Sequence, residues 1–142
     1  MIFIFFNASP AQIKRLTKYG QDLGLAFQVI DDVLDYDGDA ALMGKNLGDD
    51  LREGKNTLPL IIAMQRCAPS DRHLIRNAIE TGDASHMPRI VELVRSCGAM
   101  QATREAAADQ ALEALQVLSG LPDTPYKSAL QALASQLTHR QH

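Results

Sequence analysis

Asp31, Asp32 and Asp35 lie within a short stretch whose other residues are mostly apolar. On an α-helix, which turns by about 100° per residue, these carboxylates and Gln28 share one stripe. Carboxylates one turn apart repel each other, so a cation is expected beside them. A hard divalent ion such as Mg²⁺ fits, because it takes oxygen ligands, often one or two carboxylates together with substrate phosphates. The stripe therefore predicts a divalent-cation site.

The helix that must carry this stripe is apolar on its remaining sides. Hydrophobic residues fill the rest of its circumference: Leu25, Ala26, Phe27, Val29, Ile30, Val33 and Leu34. This wide apolar arc predicts a helix in the protein interior, with its acidic stripe facing an internal space. Gly20 and Gly24 have no side chains, so the helix surface near Gln28 leaves space for a substrate or a close-packed helix. The alternative is an ordinary solvated acidic face.

The composition favours an all-α chain and narrows the classes of partner. Apolar residues make up 46% of the sequence, aromatic residues only 5%, and β-branched residues form no alternating runs. The net charge is −3, but residues 31–53 contain eight acidic and two basic side chains, so the acidity belongs to a site. No basic patch suggests nucleic acid as a partner. No run of about 18 apolar residues predicts a transmembrane segment.

Two features bear on the cellular compartment. Cys67 and Cys97 are far apart and have no histidine or second cysteine at a metal-ligand spacing. They are interpreted as reduced thiols, which indicates a cytoplasmic protein. The apolar start, residues 1–6, is short and lacks positive charge, so a signal peptide is not expected.

Capping and turn residues predict the helices that surround the acidic stretch. Ser9 and Pro10 suit the N-cap and first position of a helix that continues through the three aspartates. A long loop rich in glycine and charge is expected from about Ala40 to Asn56, and such loops are more often functional than idle. Later helices are predicted at Leu58–Cys67, Ser70 to near Gly82, Ala84–Cys97, Met100–Leu118 and from Thr124 onward, the last with Leu130, Leu133 and Leu137 on its inner face.

Two segments carry a family resemblance. Residues 27–35, FQVIDDVLD, resemble the second aspartate-rich motif, FQxxDDxxD, of the trans-isoprenyl diphosphate synthases. Residues 44–60, GKNLGDDLREGKNTLPL, are similar to the GKNxGDDLxEGKxTLP run of bacterial long-chain members of the octaprenyl type. The resemblance extends from about Ala8 to near the C-terminus. It implies an all-α fold, the C-terminal half of an isoprenoid-synthase-type helical bundle, with residues 1–142 forming a partial polyprenyl synthetase domain.

The resemblance also implies an activity. Members of the family condense isopentenyl diphosphate with an allylic diphosphate, and the octaprenyl type makes the side chain of ubiquinone. Loss of diphosphate is the difficult step, so such a site needs metal ions and cations around the leaving group and dry apolar walls around the carbocation. By motif match, Asp31 would ligate Mg²⁺ directly, and Asp32 and Asp35 would act directly or through metal-bound water.

The remaining implied roles belong to polar residues on either side. Lys45 and Lys55 would hold the diphosphate, and Gln28 would position the reacting end of the substrate. The full-length members imply a homodimer. Asp49, Asp50 and Glu53 are expected to be solvated or paired with nearby lysine and arginine side chains.

One part of the family pattern is missing from this sequence. The first aspartate-rich motif and the arginine and lysine residues that bind isopentenyl diphosphate have no match here. The chain is therefore expected to be a truncated, inactive half of a synthase that exposes apolar surface. The alternative is a non-catalytic partner or regulatory subunit of a heteromeric synthase. Terpene cyclases use similar aspartates but not the segment from Gly44 to Leu60, so they rank third.

Overall fold

The computed structural model describes residues 8–37, 49–83 and 85–139, and this part of the chain is helical without strands. The expected all-α class is therefore confirmed. In chain order the helices are α1 (Pro10–Asp37), α2 (Asp49–Arg52), α3 (Leu58–Arg66), α4 (Pro69–Thr81), α5 (Met87–Ser96), α6 (Ala99–Leu118) and α7 (Pro125–His139). Within the same ranges, no helix combines the length and apolar character needed to cross a bilayer.

The chain divides into two compact units. The described residues up to Gln28 and from Ala106 onward form the first, which we call the terminal unit. The described residues from Val29 to Glu105 form the second, the central unit. Helices α1 and α6 each contribute to both units, and the three aspartates of the acidic motif belong to the central one.

The predicted start of α1 is confirmed by its capping geometry. The Ser9 hydroxyl accepts a hydrogen bond from the backbone N–H of Gln12 at 3.3 Å, and the Gln12 side chain accepts one from the Ser9 N–H at 2.9 Å. This reciprocal pair is a capping box, which satisfies donors that the first turn of a helix leaves unpaired. The sequence therefore determines where α1 begins.

The central unit is organised around one hydrophobic core. Helix α4 contacts α2, α3 and α5. The buried side chains of this core are Val33, Tyr36, Leu51, Leu60, Ala63, Ile75, Ala78, Met87, Ile90, Val91, Leu93, Val94, Ala99 and Met100. Leu60 and Ala63 of α3 share this cluster with Val33 and Tyr36 of α1. Helix α3 therefore shares one core with the acidic part of α1.

The terminal unit has smaller clusters rich in alanine. One contains Tyr19, Ala114, Leu118 and Ala134, and the other contains Ala26, Ala111 and Leu137. Alanine at these positions leaves room for close helix packing. The Tyr19 hydroxyl donates a hydrogen bond to the Leu130 carbonyl at 2.8 Å, which ties α1 to α7.

Several predicted helix details are wrong. Helix α4 starts at Pro69, with Ala68 rather than Ser70 as the N-cap, because the fixed φ of proline suits the first helical position. Helix α5 starts at Met87, not at Ala84, which lies outside the described residues. Before it, the Asp83 carboxylate accepts hydrogen bonds from the Ser85 N–H and hydroxyl, and so holds a turn.

The predicted inner face of α7 is also partly wrong. Leu133 is 50% exposed, whereas Ala134 is fully buried and Leu137 nearly so. Helical spacing identifies residues that share a face, but the neighbouring helix decides how much of that face is covered.

The prediction that α1 is an interior helix on all its apolar sides is wrong for this chain. Leu25, Phe27 and Leu34 are 51%, 46% and 38% exposed, although Ala26, Ile30 and Val33 are buried. Three of the seven residues of the apolar arc therefore lack a covering element in the described part of the chain.

Candidate functional site

The acidic motif lies near the C-terminal end of α1, in the central unit. Asp31 is exposed, while Asp32 and Asp35 are half-buried. This gradient follows from the helix geometry, because Val33 and Tyr36 of the same segment enter the core and draw the neighbouring aspartates partly inward. The three carboxylates therefore have different surroundings despite their common motif.

Asp32 is held against the start of α3. Its carboxylate accepts a long hydrogen bond, 3.4 Å, from the backbone N–H of Leu58, the first residue of that helix. Thr57 is the N-cap residue of α3, but its side chain makes no capping hydrogen bond to the described residues. A carboxylate from another helix thus caps the N-terminus of α3, where the helix dipole also favours negative charge.

The electrostatic surroundings of Asp32 oppose its ionisation overall. Burial raises its pKa most strongly, and the negative charges of Asp50 and Asp31 raise it further. The hydrogen bond from Leu58 and the positive charge of Lys55 lower the pKa. A bound cation would relieve the same unfavourable charge, because it would supply the positive potential that the protein lacks here.

Asp35 connects α1 to the short helix α2. Its carboxylate accepts a hydrogen bond from the Asp50 backbone N–H at 3.4 Å. The Asp50 side chain in turn binds the Lys55 ammonium at 2.9 Å, and Glu53 binds it at 2.7 Å. The hydrogen bonds that the Lys55 ammonium donates to Glu53 and then to Asp50 raise the pKa of Lys55. Of the two alternatives left open for these acidic side chains, solvation or pairing, Asp50 and Glu53 show pairing, with Lys55.

Lys55 is thereby brought to the aspartates. It remains 56% exposed, so its ammonium is open to solvent and ligands. Ion pairs made by an exposed ammonium are weak, so Lys55 can exchange one anionic partner for another at little cost. Lys45, the other predicted diphosphate-binding residue, lies outside the described residues, as does most of its loop.

Gln28 is exposed and belongs to the terminal unit. It lines a cavity of about 660 Å³ together with Gly20, Leu23, Gly24, Phe27, Leu133, Gln136 and Leu137. A Cβ atom added at Gly20 or Gly24 would meet nothing within 4 Å. The predicted space beside Gln28 therefore exists, as an open cavity between α1 and α7 in the terminal unit.

Sequence reasoning missed two buried hydroxyl groups behind the aspartates. Tyr36 is fully buried and Thr57 is 5% exposed. The signal for Tyr36 was its position three residues after Val33 and seven after Val29, which places it on the buried face of α1.

Two arginines that received no specific role also hold this end of α1. Arg95 donates a hydrogen bond to the Tyr36 carbonyl at 2.8 Å, and Arg104 pairs with Asp37. Cationic side chains are favoured here, because the last carbonyl groups of a helix carry partial negative charge. They fix the end of the helix that carries the acidic motif.

The donor set is compatible with an open Mg²⁺ site. In the described ranges, no three histidine, cysteine or acidic residues converge as a closed metal cage. Mg²⁺ does not need one, because it keeps several waters and is usually bound through one or two carboxylates and substrate phosphates. The exposed carboxylate of Asp31, beside half-buried Asp32, offers oxygen ligands of the required kind.

Comparisons with known proteins agree with the sequence motifs. The family model for polyprenyl synthetase matches residues 1–96. The chain is 46% identical over 132 residues to octaprenyl diphosphate synthase from Escherichia coli (strain K12), which covers 92% of this chain and 41% of that protein.

Solved structures show the same fold. A polyprenyl synthase from Caulobacter crescentus CB15, complexed with calcium and isoprenyl diphosphate, is 39% identical with a TM-score of 0.82 over 95% of this chain and 42% of that one. A geranylgeranyl pyrophosphate synthase from Corynebacterium glutamicum, complexed with isoprenyl diphosphate and magnesium, is 34% identical with a TM-score of 0.79 over 94% of this chain and 39% of that one.

These matches confirm the isoprenyl synthase type of helical fold. The chain spans about two fifths of the length of the relatives it matches. Since the family model covers more than half of the sequence, the chain belongs to the polyprenyl synthetase family.

Proposed function

We propose that this chain provides the second aspartate-rich half of a trans-prenyltransferase site. The reaction would condense isopentenyl diphosphate with an allylic diphosphate to give a long-chain product of the octaprenyl type, for a quinone side chain. One observation carries the proposal: the acidic end of α1 presents Asp31 to solvent, while Asp50 and Glu53 hold the exposed ammonium of Lys55 near Asp32. Carboxylates and a mobile cation at one place suit a metal-bound diphosphate.

Each residue has a distinct proposed role. Asp31, Asp32 and Asp35 would hold Mg²⁺, which when bound supplies positive charge to the diphosphate leaving group. Lys55 would move from its acidic partners to a phosphate oxygen, an exchange favoured by the weakness of exposed ion pairs. Lys45 would be a second diphosphate-binding cation. Gln28 would orient the reacting end of the substrate from the cavity that it lines.

Turnover would require more than this chain. We propose that residues 1–142 form a partial domain corresponding to the C-terminal half, inactive by itself, whose full-length form is a cytoplasmic homodimer. Support comes from the share of its relatives that the chain spans, 41% for the Escherichia coli enzyme. The exposed Leu25, Phe27 and Leu34 on α1 supply apolar surface for additional helices to cover.

The same exposed surface favours a second candidate function. A non-catalytic partner or regulatory subunit of a heteromeric synthase would use the apolar face of α1 to bind a catalytic chain. The two candidates differ in their use of Asp31, which such a subunit would not need for association. Binding of a metal and a diphosphate is therefore the property that separates them.

The test is isothermal titration of the 142-residue chain with inorganic pyrophosphate, in the presence and absence of Mg²⁺. Binding should need the metal, and Asp31→Ala should weaken it at least tenfold. Asp109→Ala, which removes an exposed aspartate in the terminal unit, is the matched control and should bind as wild type does. No binding by a helical wild-type chain would refute the half-site and favour the partner role.

Lys55 is tested in the same titration. Lys55→Met should weaken binding of magnesium pyrophosphate about tenfold, because one cation on the phosphate is lost. Lys14→Met is the matched control, since Lys14 is an exposed lysine in the terminal unit. Equal losses of affinity in Lys55→Met and Lys14→Met would mean that binding depends only on the net charge of the chain.

A further inference from the structure

Lys55 lies at a tight turn that ends the short helix α2. The Gly54 N–H donates a hydrogen bond to the Leu51 carbonyl at 3.0 Å, and the Lys55 N–H donates one to the Asp50 carbonyl at 2.9 Å. Gly54 has a φ of 72°, in the left-handed region. Two such backbone bonds around a left-handed residue form a Schellman motif, a common way for a glycine to end a helix. This turn sets the direction in which the chain leaves α2.

Contacts with the acidic motif hold both ends of the segment that contains this turn. At its start, the Asp50 N–H donates a hydrogen bond to the Asp35 carboxylate at 3.4 Å. At its end, the Leu58 N–H donates one to the Asp32 carboxylate at 3.4 Å. The side chain of Leu51 is buried in the core of the central unit. The backbone between these two bonds is therefore tied to two of the three aspartates.

The Lys55 side chain is less constrained than its backbone. Its ammonium binds Asp50 at 2.9 Å and Glu53 at 2.7 Å, and the side chain is 56% exposed. Such ion pairs are weak, so a phosphate can replace either carboxylate. The Cα atom of Lys55, by contrast, is placed by the turn. A cation on a fixed Cα loses less freedom when it meets a ligand, and this favours affinity.

Gly54 is the residue on which this placement depends. A side chain at a left-handed φ is strained, because its Cβ crowds the following carbonyl oxygen. Space is not the limit here, since a Cβ added at Gly54 would lie 3.7 Å from the Ile79 carbonyl oxygen, an ordinary contact distance. Substitution therefore opposes the backbone conformation itself, and favours a turn that sends the chain along a different path.

We propose that Gly54 is a positioning residue, whose left-handed turn holds the Lys55 backbone where the ammonium can reach a diphosphate beside Asp32 and Asp35. The inference rests on the proposed function, because it assumes that a diphosphate binds there. Gly54 has no side chain and acts only through Lys55. Substitution of Gly54 should therefore lower the affinity for a diphosphate only while Lys55 is present.

The test measures affinity and stability in variants of the full 142-residue chain. Gly54→Ala strains the turn, whereas Gly54→Asn introduces a residue that adopts the left-handed conformation more readily. Gly82→Ala is the matched control. Gly82 has a φ of 68°, and its Cβ would lie 3.7 Å from the Arg52 carbonyl oxygen, but Asp83 rather than a lysine follows it. Magnesium pyrophosphate is titrated into each folded variant, and the melting temperature is recorded without ligand.

Gly54→Ala should bind about fivefold more weakly than wild type, a smaller loss than in Lys55→Met, because a displaced lysine still reaches the ligand part of the time. Gly54→Asn should recover most of this loss and bind about twofold more weakly than wild type. The double variant Gly54→Ala/Lys55→Met should bind as Lys55→Met does, since both changes act through one ammonium. Gly54→Ala and Gly82→Ala should each melt about 4 °C lower, but Gly82→Ala should keep wild-type affinity.

Other results separate this inference from the proposed function. Unchanged affinity in Gly54→Ala would overturn the positioning role alone. An equal loss of affinity in Gly82→Ala, or a further loss in the double variant, would also overturn it, because Gly54 would then only stabilise the fold. If Gly54→Ala does not fold, the loss in Gly54→Asn must likewise vanish in the Lys55→Met background, and its persistence would overturn the role. No binding by folded wild type would overturn the proposed function together with this inference.

Discussion

The Asp32 carboxylate accepts a hydrogen bond from the backbone N–H of Leu58 at 3.4 Å, so a residue of the acidic motif caps the helix that begins within the segment of residues 44–60. This contact joins the two segments on which the family resemblance rests. It also gives Asp32 a structural role in addition to its proposed metal-binding role. Burial favours the neutral form of this side chain, whereas the hydrogen bond from Leu58 and a metal site both favour its charged form.

Asp32→Asn should separate these two roles. The asparagine oxygen can still accept the hydrogen bond from Leu58, while the half-buried charge near Asp31 and Asp50 disappears. The melting temperature without metal should rise by about 2 °C, a gain on the order of 0.5 kcal/mol. Thermal unfolding followed by circular dichroism measures this change. Asp31→Asn, at an exposed position, should melt close to wild type, and a clear fall in Asp32→Asn would contradict the charge argument.

Tyr19→Phe should destabilise the terminal unit. The variant loses the 2.8 Å hydrogen bond to the Leu130 carbonyl, which leaves a carbonyl group without that donor. The expected loss is about 1 kcal/mol in urea unfolding at neutral pH. Tyr126→Phe, which changes an 82% exposed tyrosine, should have no measurable effect. Equal stability of the two variants would argue against the bond between α1 and α7.

At alkaline pH, the free energy of unfolding of wild type should no longer exceed that of Tyr19→Phe. Burial raises the pKa of Tyr19 in the folded chain. The folded state therefore retains this proton more firmly than the unfolded state. The resulting stability is fully present below the ordinary tyrosine pKa of about 10, and is lost as the pH rises through the higher folded value. Urea unfolding between about pH 8 and 11 should show that the difference in unfolding free energy between wild type and Tyr19→Phe becomes smaller. A constant difference would refute the prediction.

Gly24→Ala should stabilise the chain. Gly24 lies within α1, where glycine costs up to about 1 kcal/mol relative to alanine, and an added Cβ would meet nothing within 4 Å. A rise in melting temperature of about 3 °C is expected. Gly98→Ala should do the opposite, because its φ of 74° is left-handed and its Cβ would lie 3.0 Å from the Arg66 guanidinium. Destabilisation by Gly24→Ala would mean that the cavity beside Gln28 is narrower in solution than in this structure.

Local signals in the sequence determined much of the fold. The spacing of apolar residues, the Ser9–Pro10 pair before α1, and Gly82 after α4 were each sufficient to locate a helix or its end. They act within one or two turns, where backbone hydrogen bonding and sterics leave few alternatives. The same local information predicted that Asp31, Asp32 and Asp35 share a helical face.

Only the tertiary structure decided how these residues are used. It turned Asp32 toward the start of α3, brought Lys55 to the acidic end of α1, and buried the hydroxyls of Tyr36 and Thr57 behind it. It also left Leu133 exposed on a face that helical spacing had marked as internal. Periodicity fixes which side chains share a face. Which face is covered, and by what, depends on packing between segments distant in the chain, and no local pattern encodes it.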